Sequence, residues 1–154
     1  MSATAALAMT LSRLMSRQEV AEETVAFHFE KPPNWTFVAG QYLDITLINP
    51  SESDAEGNTR TFSIASSPRQ ETLMVATRTR DTAFKRTLKT MPLGSAVRIE
   101  GPSGSLTLHS QAAKTAVFLA GGIGITPFRS IVLDATEKKE SRQLTLRPGK
   151  PAGN

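Results

Sequence analysis

Short stretches in which apolar and polar residues alternate, each cut off by Gly, Pro or Asn, fill the first two thirds of this chain and restrict it to a mainly β fold. Residues 24–31 (TVAFHFEK) set Val25, Phe27 and Phe29 on one face and Ala26, His28 and Glu30 on the other, as the two-residue period of a strand requires. His28 is therefore expected to be an ordinary exposed strand residue. Pro32-Pro33-Asn34 ends that strand, and residues 41–48 (QYLDITLI) repeat the pattern through Leu43, Ile45 and Leu47. Residues 49–58 (NPSESDAEGN) form an acidic turn cluster, expected as a solvated hairpin loop. Further strands are expected over residues 61–65, 73–80, 96–100 and 105–108. One short helix interrupts them. Phe84, Leu88 and Met91 fall at i, i+4 and i+7 with Lys85, Arg86 and Lys89 outward, Asp81 or Thr82 can cap it, and Pro92-Leu93-Gly94 closes it.

The pattern changes near residue 113. Residues 116–120 (AVFLA) are continuously apolar, as expected of a parallel strand buried on both faces. Residues 121–127 (GGIGITP) lead into a helix carrying Phe128, Ile131, Val132 and Ala135 on one face, with Thr126 as N-cap and Pro127 as first helical residue. Residues 143–146 (QLTL) can add a second strand, and the tail RPGKPAGN, without periodicity, should be loose. The fold expected is an antiparallel β-barrel, residues 1–112, followed by a partial Rossmann-like βαβ unit, residues 113–154.

Composition narrows the chemistry. The 154 residues include no cysteine and two histidines, His28 and His109, which excludes a Cys-type zinc site, a Cys-ligated iron–sulfur cluster, a catalytic thiol and a His-rich metal site. If this chain moves electrons, an organic cofactor must carry them. The formal net charge is +4, with basic residues concentrated over 69–86, which suits a phosphate-bearing cofactor, an acidic partner or a nucleic acid. The opening MSATAALAMTLSRLMSRQE lacks a basic leader region and is expected to be a frayed end running into a strand. With no run long enough to span a bilayer, the expectation is a cytoplasmic protein without membrane contact.

Three segments carry chemistry. Arg60-Thr61-Phe62-Ser63 opens a strand with a charged fork and an aromatic ring. At Asp81-Thr82-Ala83-Phe84-Lys85, free N–H groups of a helix start around residues 83–85 make an anion site, reinforced by the helix dipole. Gly121-Gly122-Ile123-Gly124 with Thr126-Pro127 is not a Rossmann fingerprint: Pro127 replaces the third glycine, and no acidic residue follows at the required distance. Together RTFS, TRTRDTAFKRTL, LGSAVRIEGPSG and VFLAGGIGITPFRSI, in this order and over roughly residues 10–137, resemble the ferredoxin–NADP reductase superfamily.

That resemblance implies a six-stranded barrel binding FAD, with FMN less suited because the turn at residues 81–85 fits a pyrophosphate. It implies Arg60 on the pyrophosphate, Thr61 beside it, Phe62 packed on the isoalloxazine and Ser63 near flavin N5 as the residue closest to the chemistry. Thr77 and Arg78 would lie along the ribityl chain and phosphates. Ala83, Phe84 and Lys85 would form the pyrophosphate turn, and Gly121, Gly122, Gly124 and Thr126 would approach flavin and nicotinamide. NAD(P)H is the implied co-substrate, and a separate protein the electron acceptor. Two departures stand out. Ser103 occupies the Phe of the family's G-P-F-G, and only the opening of the nicotinamide domain follows the barrel. The rival readings are a flavin-binding subunit without turnover and a small β-barrel binding single-stranded nucleic acid. The second wants more exposed aromatics than nine in all allow, so no nucleic-acid partner is expected. An apolar strand with few neighbours predicts a homo-oligomer through residues 113–147.

Overall fold

The computed structural model describes residues 9–149. The first eight residues and the end of the tail, where the frayed start and most of the loose tail were expected, lie outside the described residues. Six strands form one antiparallel sheet: β1 (Thr10–Ala21), β2 (Thr24–Glu30), β3 (Tyr42–Leu47), β4 (Thr59–Ser63), β5 (Thr72–Arg78) and β6 (Ala96–Ser103), in the order β4-β3-β6-β1-β2-β5. Its two edges meet just beyond β4, where the Ala65 N–H donates to the Met74 carbonyl at 2.7 Å and the Met74 N–H to Ser66 Oγ at 3.0 Å. The sheet therefore curls into a barrel with a seam between β4 and β5.

Alternation places the core. Phe27 faces Val75 and Phe29 faces Leu73 across β2 and β5, while Ile45 faces Ile99 and Leu47 faces Val97 across β3 and β6, and all eight side chains are buried. Burying side chains of this size contributes about 1.5–3 kcal/mol each. Helix α1 (Ala83–Thr90) adds Phe84 and Leu88 to the same core, and Thr82 caps it by accepting the Lys85 N–H at 3.4 Å. Asp81, the other candidate cap, pairs with Arg86 instead.

Residues 105–108 are not a strand. β6 runs on to Ser103, opposite Tyr42, and the following segment crosses over Gly40. Gly40 has φ +103°, and a Cβ there would lie 1.8 Å from the Leu106 carbonyl oxygen, so only glycine lets the two backbones pass. The Gln41 side chain fixes the crossing by donating to the Gly104 carbonyl at 3.1 Å.

The second unit consists of β7 (Ala116–Ala120), a 3-10 turn (Gly122–Ile125), α2 (Thr126–Glu137) and β8 (Leu144–Pro148) parallel to β7. Arg147 and Pro148 of the expected loose tail thus belong to a strand. Phe118 and Ile131 are buried with Ala39 from the barrel side, and Phe118 stacks on Phe128 at 4.7 Å. β7 is apolar on both faces but buried on one: Ala116 and Phe118 face α2, whereas Val117 and Leu119 are exposed. Thr126 is already helical, because the 3-10 turn feeds straight into α2. Its hydroxyl donates to the Ile123 carbonyl at 3.0 Å rather than capping the helix, while Pro127 sits in the first turn as expected.

Helix α2 is bolted to the barrel seam. Arg129 donates to the Ala65 carbonyl at 2.7 Å, buried Ser130 to the Ser66 carbonyl at 2.6 Å, and buried Ser67 to the Glu137 carboxylate at 2.7 Å. On the outer face of β2, Ala26 is buried, and His28, expected to be exposed, is half-buried with Nδ1 3.3 Å from Thr72 Oγ1. No helix of the described residues is long and apolar enough to cross a membrane.

Candidate functional site

Docking α2 on the seam creates a cleft of about 400 Å³ between β4, the end of β5, the start of α1 and the turn entering α2. Arg60, Thr61, Phe62 and Ser63 line it from β4, Thr77 from β5, Lys85 from α1, and Gly124 and Thr126 from the turn. Three segments singled out in the sequence, far apart along the chain, thus converge on one space.

Local geometry sets what each residue offers. Arg60 and Phe62 share one side of β4 by the strand period. The Arg60 guanidinium lies over the Phe84 ring, 5.2 Å from its centroid, a cation–π contact that holds the fork flat. Arg60 Nη1 donates to three backbone carbonyls: Glu56 and Thr59 at 2.8 Å and Gly57 at 3.1 Å. Phe62, 8% exposed, belongs to the barrel core, 6.0 Å from Phe84, and the little surface it keeps opens on the cleft. Thr61 hydrogen-bonds the Asp44 carboxylate on β3. Ser63 is half-buried beside Thr126, which comes from α2.

Cations gather at the α1 end. Lys85 donates to the Arg78 carbonyl at 2.8 Å. Burial holds its ammonium below the usual lysine range, with the charges of Arg80 and Arg60 pushing the same way. Arg80 also lines the cleft, whereas Arg78 points to the far side of β5. There it borders a larger groove of about 800 Å³ together with His28, Gly122 and Arg129, and this groove joins the cleft at Ala76, Ile123 and Thr126. Gly122 has φ +53°, and a Cβ on it would come within 3.3 Å of the Arg78 guanidinium. Burial, then the Arg129 charge, lowers the His28 imidazole from its ordinary value.

The helix start differs from expectation. The Ala83 N–H is not free: it donates to Asp54 Oδ2 at 2.8 Å. Phe84 is buried beneath Arg60, and Gly121 is exposed ahead of the turn. The acidic loop expected to be solvated is in fact docked across α1 and Arg60. Glu52 pairs with Arg86 at 2.8 Å, Asp54 with the helix start, and Glu56 Oε2 with Arg60 Nη2 at 2.7 Å. The Ala83 N–H first, aided by the Glu56 N–H and the Arg60 charge, holds the Asp54 carboxyl below the usual carboxylate range. The Arg86 hydrogen bond does the same for Glu52. Sequence reasoning missed Asp54 and Glu56 as residues of this site. The available signal was charge: a hairpin with three acids lies directly before Arg60, in a chain whose basic residues cluster over 69–86.

The arrangement suits a ligand with a phosphate-bearing arm and a flat polar head. Arg60, Arg80 and Lys85 supply positive charge at one end, and the hydroxyls of Ser63, Thr77 and Thr126 lie along the rest.

The sequence profile of the oxidoreductase FAD-binding domain matches residues 11–108. The chain is 31% identical over 147 residues to the CDP-6-deoxy-L-threo-D-glycero-4-hexulose-3-dehydrase reductase of Yersinia pseudotuberculosis, covering 92% of this chain and 42% of that protein. It is 31% identical over 118 residues to the phenol 2-monooxygenase reductase component DmpP of a Pseudomonas species, covering 73% of this chain and 31% of that protein. It thus spans less than half the length of these curated relatives. Among solved structures, the ferredoxin NADP+ reductase of Neisseria gonorrhoeae with bound FAD and NADP superimposes with a TM-score of 0.75 at 21% identity, over 91% of this chain and 56% of the other. Phthalate dioxygenase reductase gives 0.73 at 22% identity, over 91% and 43%. These two likenesses establish the fold.

Proposed function

This chain belongs to the oxidoreductase FAD-binding domain family, and from that premise we propose that it holds FAD in the cleft between β4, α1 and the glycine turn, as the flavin module of an NAD(P)H-dependent reductase. The observation that carries this reading is the convergence of Arg60, Lys85, Ser63 and Thr126 on one space. Arg60 and Lys85 take the pyrophosphate, Arg60 through its flat fork and Lys85 as a point charge. Ser63 and Thr126 both line the cleft; the Ser63 hydroxyl can donate or accept as the ligand's protonation changes, whereas Thr126, whose proton goes to the Ile123 carbonyl, offers an acceptor. Ser63 is assigned to flavin N5. Arg78 and Gly122, on the adjoining groove, serve the head of the ligand that extends past Thr126. Bound FAD supplies hydride acceptance and single-electron donation, so the chain needs no acid, base or nucleophile of its own.

Residues 1–112 are assigned as the flavin domain and residues 113–154 as the opening of the nicotinamide-binding domain. Named relatives are reductase components of phenol, terephthalate and methane oxygenase systems, which supports a separate protein as the acceptor here. A second reading is flavin binding without turnover: Gly121, Gly122 and Gly124, the residues expected at the nicotinamide, are exposed. Steady-state oxidation of NADH and NADPH by the flavin-loaded chain separates the two.

The purified chain is expected to absorb in the blue and to release FAD by mass. Arg60→Ala should weaken retention roughly 10–150-fold, from loss of a charge-assisted contact of about 1.5–3 kcal/mol. A colourless protein that takes up no added FAD overturns the assignment.

A further inference from the structure

The acidic loop contributes more than a surface to this site. A β-turn closed by the Gly57 N–H on the Asp54 carbonyl at 3.0 Å brings residue 56 over the cleft, and Asp54 anchors the turn from both carboxylate oxygens. Oδ2 takes the Ala83 N–H and Oδ1 takes the Glu56 N–H at 3.0 Å. The Glu56 carboxylate extends beyond that anchor and lies on Arg60 Nη2, on the wall of the cleft. Its side chain is 64% exposed, whereas that of Arg60 is 18% exposed. Nothing else in the structure requires the Glu56 carboxylate there. Three backbone carbonyls grip Nη1 and the Phe84 ring supports the plane, so the guanidinium keeps its orientation without it.

We propose that Glu56 is an internal competitor for the phosphate position on Arg60, a carboxylate that an incoming ligand's phosphate must displace and that sets how strongly the cleft favours phosphate-bearing ligands. A carboxylate and a phosphate oxygen make the same charge-assisted contact with a guanidinium, so a phosphate competes with Glu56 for the Nη2 N–H that the carboxylate holds. A diphosphate brings more charge and also meets Lys85 and Arg80, which Glu56 leaves free, so it wins the exchange, and the exposed glutamate swings into water. A ligand without phosphate gains nothing from Arg60 and leaves Glu56 in place.

This inference rests on the FAD reading for its natural ligand, and the test separates the two. FAD, riboflavin and inorganic pyrophosphate are titrated into the full-length chain and its Glu56→Gln and Glu56→Ala variants at low ionic strength, with melting curves to verify folding. Removing an exposed ion pair of 1 kcal/mol or less is expected to tighten FAD and pyrophosphate about two- to fivefold. Riboflavin affinity should not change, and the gain should fade as salt is added. Unchanged or weaker FAD and pyrophosphate binding by folded variants makes Glu56 a positioning residue and overturns the proposal, as does an equal gain for riboflavin. If wild type binds no FAD, the flavin assignment fails, and the pyrophosphate titration alone decides for or against Glu56.

Discussion

Asp54 shows how one side chain can hold a loop, a helix and a ligand site in register. Its carboxylate accepts the Ala83 and Glu56 N–H groups at 2.8 and 3.0 Å, bonds available in full only to the charged form. The folded carboxyl therefore titrates below the unfolded value of about 3.9. With a depressed folded value, the native state binds fewer protons than the unfolded chain. The contribution to stability is complete above the unfolded value and disappears as pH falls through it towards the folded one. Asp54→Asn should thus melt below wild type at pH 7, and the gap should narrow as pH falls below about 4. Melting curves of both proteins across that range check it. A gap of constant size would mean that the contact does not depend on charge.

The link between α2 and the seam explains why the glycine turn faces the flavin strand. Three successive residues beyond β4, Ala65, Ser66 and Ser67, each hydrogen-bond α2, and Ser66 also holds β5 through Met74. Ser130→Ala leaves the buried Ser66 carbonyl without its donor, which should cost about 1–3 kcal/mol. At this chain length that lowers Tm by about 2–4 °C per kcal/mol. Exposed Thr136→Ala on the same helix should shift it far less, and equal shifts would show that the seam contact carries no special weight. None of the three bonds to α2 was legible in the sequence, because they join residues 64 or more positions apart. What alternation could convey, it did: Val25, Phe27 and Phe29 of β2 and Leu43, Ile45 and Leu47 of β3 are buried on the faces where their spacing put them, although Ala26 on the other face of β2 is buried as well. It misled at residues 105–108, where SLTL mimics a strand but the chain is held by Gly40 and Gln41 instead of a ladder. It misled again at His28, which is half-buried and borders a groove shared with Gly122 and Arg129. In the candidate site, Arg60, Ser63, Lys85 and Thr126 were legible as motif residues, while Asp54 and Glu56 were not, since a loop's composition does not say what it docks against.

At the scale of the whole molecule, the second unit buries one face of β7 and leaves the other open to solvent. Val117 is 57% and Leu119 72% exposed on the face of β7 turned away from α2, where their partners on β8 are Thr145 and Arg147. β8 is the one strand paired with β7 among the described residues, so the other edge of β7 presents backbone groups to solvent alongside these side chains. A free edge next to an apolar strip is a template for another chain, and two-stranded sheets are weak alone. We therefore expect homo-oligomers to form through residues 113–147, by edge pairing or by burial of the strip between two copies. The net charge of +4 opposes close approach, so salt should favour association by screening it, the reverse of its effect on an ion-paired interface. In sedimentation velocity the wild-type weight-average coefficient should rise with protein concentration and rise further with salt. Leu119→Lys, which puts a charge in the middle of the strip while leaving buried Phe118 and Ala116 in place, should sediment as a monomer throughout. A wild type that is monomeric at every concentration and salt would mean that this strip is tolerated in water as it stands.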